Sequence, residues 1–401
     1  MGSRATARCS AAAALLVALV AGAGPARADD AAPATPIAQE REAAPPPITR
    51  TPAGWETLAT GLPEEARLHL LPHFHYNRVD GATPGIGAAY RNERDPAPLV
   101  YANVSWATGR DRFLGAAGFE APVGDPTWLR VGSDLYRRTA TEDDWIVGEM
   151  ENTLFALVAR TDYRDYYEAT GGAARVIWEP GRDVGLEAGV RIQNEANLET
   201  TVSFSIFGKE DEFRENPPIE PGDEGLFSVK GRIGPRVIPR EGGVQGTLGY
   251  ERAGGFLERD FDYGRLRASV RGMRHLNARH TARARAFLGS TREGRLPLQK
   301  LWHVGGIGTL RGHEYKAFTG DQFFLASAEY MVLVRRRTFP FAFLDWGAAW
   351  FGSGNLDRQK PGLDGGLGFR VGEDALVLTV ARDLRRSDAP WLVGVRFAYI
   401  F

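Results

Sequence analysis

The stretch WLVGVRFAYIF, Trp391–Phe401, decides how the rest of the chain is read. As an extended strand it puts Trp391, Val393, Val395, Phe397, Tyr399 and Phe401 on one face and Leu392, Gly394, Arg396 and Ala398 on the other, because successive side chains of a strand point to opposite sides. GLDGGLGFRV, Gly362–Val371, splits the same way, with Leu363, Leu367, Phe369 and Val371 opposite Asp364, Gly366, Gly368 and Arg370. Sheets of a soluble sandwich alternate too, but they do not need strands of uniform length with aromatic ends. A bilayer needs both, since a strand tilted by about 45° takes roughly 9–11 residues to cross.

Working back from that strand, segments with period-2 apolarity recur, separated by Gly, Pro, Asp and Asn clusters. They lie at 69–78, 84–92, 98–109, 112–123, 128–141, 171–179, 184–195, 225–236, 242–253, 261–275, 280–291, 322–336, 339–351, 361–371, 374–384 and 391–401. The expected fold is all-β, a sixteen-stranded antiparallel transmembrane β-barrel over residues 61–401, with a long inward-folded loop between the eleventh and twelfth strands. Closing the sheet removes the edges that lipid cannot hydrate. Turns after even-numbered strands are mostly tight, and several after odd-numbered strands are long, which places the long ones on the outer side. One of them carries Ile146, Met150, Leu154, Leu157 and Val158 at helical spacing, so it is expected to contain a helix that packs on or in the barrel.

The N-terminus sets the compartment. Arg4 and Arg8 precede an apolar run, Ala11 to Val20, and an A-x-A pattern at Ala26–Ala28, so residues 1–28 read as a cleaved signal peptide. Residues 29–60 are rich in Ala and Pro and read as a disordered linker. Removing three arginines with the signal leaves 46 basic residues of the original 49 against 50 acidic ones, and removes Cys9, the one cysteine. An exported chain without thiols has no disulfide framework, and its charge gives no reason to expect nucleic acid.

Three motifs surround one arginine. GGIGTLRGHEYKAFTG, Gly305–Gly320, is glycine-rich around Arg311 and Gly312, but it lacks a Gly-Lys-Ser/Thr and the strand-loop-helix setting of a phosphate loop. In the twelfth strand alternation puts Phe323, Leu325, Ser327 and Glu329 on one face; in the thirteenth it groups Phe341, Phe343, Asp345 and Gly347. A charge facing lipid at mid-membrane costs about 2–4 kcal/mol, so Glu329 and Asp345 face the lumen. Their natural cation is Arg311, whose planar fork of donors suits paired carboxylates. Arg311, Gly312, Glu329, Asp345 and Gly347 are thus expected to form a structural latch.

Leu310-Arg311-Gly312-His313, FLDWG (Phe343–Gly347) and SAEY (Ser327–Tyr330) resemble the motifs of the bacterial surface antigen, or outer-membrane assembly-factor, superfamily of BamA/TamA-like barrels. His313 stands where that family usually has Phe or Tyr; it can pack as an aromatic, and its charge changes near pH 6.5 if unperturbed. The resemblance implies location in the outer membrane and a role in inserting proteins into it or moving them across it. It also implies that Phe397, Tyr399 and Phe401 act as an insertion signal. The implied partners are membrane lipid, client outer-membrane proteins and, since only about 40 residues precede the barrel, a periplasmic partner in place of POTRA domains. The client strand would add at the seam between about Leu70–Arg78 and Trp391–Phe401.

Arg265, Arg267, Arg271, Arg283 and Arg285 share the lumen face of the tenth and eleventh strands. They are expected to pair with carboxylates on loops or neighbouring strands, or else to line an anion-favouring channel. His69, His73 and His75 share a face, a zinc-capable pattern, but no Cys or carboxylate accompanies them in sequence, so neither metal nor cofactor is expected. No G-x-S-x-G or H-E-x-x-H motif occurs, and no enzymatic activity is expected. The remaining alternative is an enzymatic or adhesive site in loops 142–170, 196–224 or 352–362.

Overall fold

A computed structural model describes residues 68–397, apart from residues 92–97, 125–127, 208–211, 240, 336, 356–358 and 373–375. The signal peptide and linker of residues 1–60, and Tyr399 and Phe401, lie outside the described residues.

The described residues contain one sixteen-stranded antiparallel sheet whose strands pair in chain order, with a separate two-stranded ribbon inserted between the eleventh and twelfth. Its strands are β1 (Leu68–Asn77), β2 (Gly81–Arg91), β3 (Leu99–Ala107), β4 (Arg112–Pro122), β5 (Leu129–Ala140), β6 (Tyr167–Trp178), β7 (Val184–Asn197) and β8 (Gly222–Ile233). They continue as β9 (Gly242–Ala253), β10 (Tyr263–His275), β11 (His280–Gly294), β14 (Gln322–Val332), β15 (Thr338–Trp350), β16 (Gly362–Val371), β17 (Leu376–Asp383) and β18 (Leu392–Phe397). A two-stranded ribbon, β12 (Trp302–Val304) with β13 (Phe318–Gly320), brackets the glycine-rich stretch between β11 and β14. Helix α1, Glu149–Ala159, lies between β5 and β6. No described helix is long and apolar enough to cross a membrane, which says nothing of strands.

The two faces of the sheet differ in kind. One exposes Leu70, Phe74, Val104, Phe113, Leu135, Val176, Leu186, Ile192, Leu248, Leu344, Leu367, Leu378 and Val393 along its whole width. The other buries Glu120, Asp134, Arg175, Glu195, Glu224, Arg265, Arg285, Glu329, Asp345, Asp364, Arg370 and Arg396. Buried charges persist where they are paired, and an exposed apolar surface of that extent marks an interface with something other than water.

β6 begins at Tyr167, four residues ahead of the segment read from sequence, so the expected loop 142–170 is shorter. The outward position there holds Glu168, which pairs with Arg110, Arg112 and Arg137 instead of presenting an apolar group, and the alternation is lost. β14 conversely stops at Val332, four residues short of the expected end; Leu333 N donates to Arg279 O of the β10–β11 turn and Val334 N to Thr338 O at the start of β15.

Helix α1 begins after Gly148, has Glu149 and Glu151 in its first turn, where the helix dipole favours anions, and ends on Arg160 with φ +54°. It exists where the sequence periodicity places it; of the apolar set, Ile146 is buried and Leu157 packs against Tyr76, Ala156 and Phe213, but the other three positions do not face inward. Met150 is 63% exposed, Leu154 40% and Val158 39%, whereas Glu151, Asn152 and Ala156 are 3%, 2% and 0% exposed.

Candidate functional site

The connections β5–β6, β7–β8 and β11–β14 all follow odd-numbered strands of the sheet, so they leave from one rim, and they meet over its polar face. Lys316 reaches Asp143 at 2.7 Å and Asp165 at 2.5 Å. Arg214 reaches Asp165 at 2.6 Å. Tyr315 Oη donates to Tyr163 O, and Arg295 pairs with Glu220 at the outer edge of the group. An apolar cluster that includes Phe287, Trp302, Val304, Leu310, Phe323 and Leu325, with Trp145 against it, fills the space beneath.

Arg311 sits at the centre of one end of this assembly. Nε is 2.7 Å from Asp345 Oδ2, Nη2 is 2.7 Å from Asp345 Oδ1, and Nη1 is 2.8 Å from Glu329 Oε1. Its guanidinium carbon lies 3.5 Å from the centre of the Phe343 ring, within cation–π range. The other Glu329 oxygen accepts from Arg370 at 2.7 Å, and Ser327 Oγ donates to Asp345 Oδ1 at 2.6 Å. The bidentate contact to Asp345 is the strong form of this pairing.

The next residue shows why the stretch is glycine-rich. Gly312 N donates to Asp364 Oδ2 at 2.5 Å, and a β-carbon on Gly312 would sit 2.4 Å from the Arg382 carbonyl carbon. One on Gly347 would sit 2.8 Å from Phe324 O. Gly306 and Gly308 have φ of +76° and +81°, a region that L side chains avoid, and so turn the chain toward the sheet.

His313 packs as an aromatic and is also ion-paired, so its imidazole is not the unperturbed one. Its ring lies 5.3 Å from that of Phe318, and Nδ1 lies 2.8 Å from Asp364 Oδ1, with Asp383 Oδ2 3.8 Å from Nε2. The hydrogen bond to Asp364 outweighs burial, and with the charges of Asp364 and Asp383 it raises the His313 pKa above 6.5 against Arg386. A raised folded pKa means that this anchor is complete below pH 6.5 and is lost as pH rises through the shifted value. Limited proteolysis across pH 6 to 9 is therefore expected to cut residues 305–320 faster at the alkaline end, and His313→Phe to flatten the profile; an unchanged slope in His313→Phe would place the dependence elsewhere.

Among the described residues His313, Asp364 and Asp383 are the group whose ligand-type atoms lie within mutual reach of a metal ion. Asp364 already spends both oxygens on Gly312 N and His313, and the two carboxylates approach different ring nitrogens, so the set reads as an ion-paired imidazole. His69, His73 and His75 do not form such a group among the described residues; His75 instead lies 3.6 Å from Asp80 and 3.4 Å from Glu149.

The arginines of β10 and β11 hold loops. Arg265 pairs with Glu142 at 3.0 Å and with Glu251, and lies 5.2 Å from the Trp302 ring. Arg267 lies 5.6 Å from Trp145 and 5.3 Å from Trp302. Arg271 stacks on Phe287, Arg283 Nε points to Met273 Sδ, and Arg285 donates to Gly308 O at 2.8 Å. Arg265 has the expected carboxylate partners, and Arg267, Arg271 and Arg285 also contact aromatic rings or a loop carbonyl.

Three groups escape sequence reasoning. Lys300 is fully buried, 2.8 Å from Glu195 and 3.1 Å from Glu142, with Glu224 at 3.5 Å. Arg78, in the β1–β2 turn, is also fully buried; it reaches Asp165 at 3.0 Å and Asn216 at 2.9 Å, and its N–H donates to Asp162. Arg396 of β18 pairs with Glu151 of α1 at 2.6 Å. The inward parity of Glu195, Glu224 and Arg396 is visible in their strands, but Lys300 and Glu142 sit on connections without a period, and Glu151 sits on the polar side of a helix whose placement the strands do not fix.

The last of these groups lies where the sheet begins and ends. Tyr76 N of β1 donates to Thr153 Oγ1 at 3.2 Å, and Phe397 N of β18 donates to Glu151 Oε1 at 3.1 Å. Phe397, read from sequence as outward, has its ring 5.6 Å from Phe155 of the same helix. The sheet thus curls enough to bring both edge strands to one helix, and no β1–β18 ladder occurs among the described residues.

Residues 66–230, less than half of the 401-residue chain, match a family model described as "Family of unknown function (DUF5686) C-terminal domain". No curated protein matches the sequence. Among solved structures the fold is similar to BamA from Haemophilus ducreyi lacking POTRA domains 1–3, with a TM-score of 0.58 and 12% identity over 82% of this chain and 69% of that one. CdiB from Acinetobacter baumannii and CdiB from Escherichia coli match at 13% and 15% identity with TM-scores of 0.44 and 0.46. This chain spans 59% and 63% of their lengths, and they span 82% and 84% of it.

Proposed function

We propose that the chain is a transmembrane β-barrel of the outer membrane whose seam, between β1 and β18, accepts a β-strand of a client protein during its insertion into, or passage across, that membrane. The apolar face of the sheet then meets lipid and the polar face encloses a lumen, with the three long connections folded into it from the outer side. The observation that carries the reading is the state of the two edges. Their N–H groups at Tyr76 and Phe397 bond to side chains of α1 instead of to each other. A side-chain cap is exchanged for a ladder more readily than one ladder for another, because fewer bonds break before the incoming strand supplies new ones. The fold likeness to BamA and the motif resemblance around Arg311 agree with this use of the sheet.

A channel lined by the arginines of β10 and β11 has less support, since those side chains are engaged with Trp145, Trp302, Phe287 and Gly308. Depletion of the protein followed by quantitative outer-membrane proteomics separates the two. Selective loss of particular barrel proteins is the expected result; an unchanged proteome with altered solute permeability would favour the channel and sink the assembly role.

A further inference from the structure

Helix α1 presents an apolar edge, Met150, Leu154 and Val158, that no described residue buries, while Leu157 beside it packs on the cluster of Tyr76, Ala156 and Phe213. Met150, Leu154 and Val158 are spaced four apart, on one side of a helix, and all three are exposed. The opposite side is the polar one and carries the structural contacts. Glu151 takes Arg396 and the Phe397 N–H, Asn152 donates to Asp162 at 2.9 Å, and Thr153 takes the Tyr76 N–H. A helix at the surface of a water-soluble domain buries its apolar stripe; this one leaves those three residues exposed.

The stripe also has neighbours of its own kind. Ile206 N and Phe207 N donate to the Leu157 and Val158 carbonyls at 2.9 and 3.0 Å, which lays that segment along the helix C-terminus with Phe204, Ile206 and Phe207 exposed. The two edge strands that α1 joins at Tyr76 and Phe397 carry exposed outward residues of their own, Leu70 and Phe74 of β1 and Val393 of β18. Helix α1 thus bonds to both edges where no ladder is present among the described residues, and its exposed residues are apolar like the outward residues of those edges.

We infer that α1 is part of the membrane wall: it stands in the seam between β1 and β18, turns Met150, Leu154 and Val158 to the lipid acyl chains, and closes the two edges with Glu151 and Thr153. The inference rests on the transmembrane reading of the sheet. Its occupant is hydrocarbon, since no charged side chain interrupts the stripe, and the outward face of the edges it joins is the one that meets lipid. All backbone groups of a helix interior are satisfied within the segment, so a helix can occupy a place in the wall that an unpaired strand edge cannot.

The test uses the full chain in phospholipid vesicles, in a Cys9→Ser background, with nitroxide labels on single variants Met150→Cys, Leu154→Cys and Val158→Cys, and on Leu367→Cys of β16 as a sheet control. Collision with oxygen, which concentrates in hydrocarbon, is compared with collision with a water-soluble nickel chelate. The expected result is an oxygen-to-nickel ratio on the helix at least as high as at Leu367. Nickel-dominated collisions on the helix with oxygen-dominated ones at Leu367 would overturn the wall helix alone, as would low accessibility to both, the mark of a covering protein partner. Nickel-dominated collisions at Leu367 as well would overturn the transmembrane reading and this inference together.

Discussion

Replacing Arg311 with alanine is expected to destabilise the protein by about 3–5 kcal/mol, the cost of breaking a buried ion pair by removing one partner. Glu329 keeps Arg370 at 2.7 Å, but Asp345, its side chain fully buried, keeps no cation among the partners described here, only Ser327 Oγ and the backbone N–H of residue 311 at 3.4 Å. The larger part of the loss therefore falls on Asp345. Folded barrels migrate faster than unfolded ones in detergent gels, so the temperature at which the fast form disappears reads the effect, and protease cleavage within residues 305–320 reads release of the loop. Arg311→Lys keeps the charge and loses the fork, and should fall between wild type and Arg311→Ala. Arg311→Ala combined with Asp345→Asn removes the stranded charge and should recover part of the loss. Unchanged thermal stability and protease resistance in Arg311→Ala would show that the contact does not anchor the loop.

The contrast between Arg311 and α1 shows what a sequence can carry. Alternation in the twelfth and thirteenth strands puts Glu329 and Asp345 on the face opposite Tyr330 and Trp346, and two inward carboxylates demand a cation from somewhere; the guanidinium then turns up on the one glycine-rich loop able to turn back. Strand parity and charge balance together reach that far. Periodicity in residues 146–158 reports a helix with a stripe, but not what covers the stripe, and the reading that apolar means inward fails at Met150, Leu154 and Val158, which are exposed. The start of β6 is lost for a related reason: Glu168, on the apolar parity, is paid for by Arg110 and Arg137 across the strands, a compensation that no local window contains. Lys300 leaves no trace at all, since RLPLQKLWHV has no period and nothing marks one lysine among the basic residues as the buried one.

That lysine carries the second large effect. Lys300→Met is expected to cost about 3–5 kcal/mol, again the penalty for a charge left buried without its partner. Burial opposes the ammonium, yet Glu142, Glu195 and Glu224 outweigh it and raise its pKa well above the ordinary lysine value, so the group is charged at any pH at which the protein is studied. The three carboxylates do not lose equally. Glu142 keeps Arg265 at 3.0 Å and Glu224 keeps Arg191 at 2.7 Å, whereas Glu195 keeps neutral donors, Gln193 at 2.6 Å and Gln299 at 2.7 Å. A double-mutant cycle resolves this asymmetry: Glu195→Gln in the Lys300→Met background should restore stability, while Glu142→Gln in the same background should restore less, because Glu142 was not stranded. Since Lys300 ties the β11–β14 connection to Glu142 of the β5–β6 connection, the single variant should also loosen the loop that carries α1, seen as faster hydrogen exchange over residues 142–166. Equal rescue by both glutamines would mean that the three carboxylates share the lysine evenly; no loss of stability in Lys300→Met would mean that water reaches the cluster and replaces the ammonium.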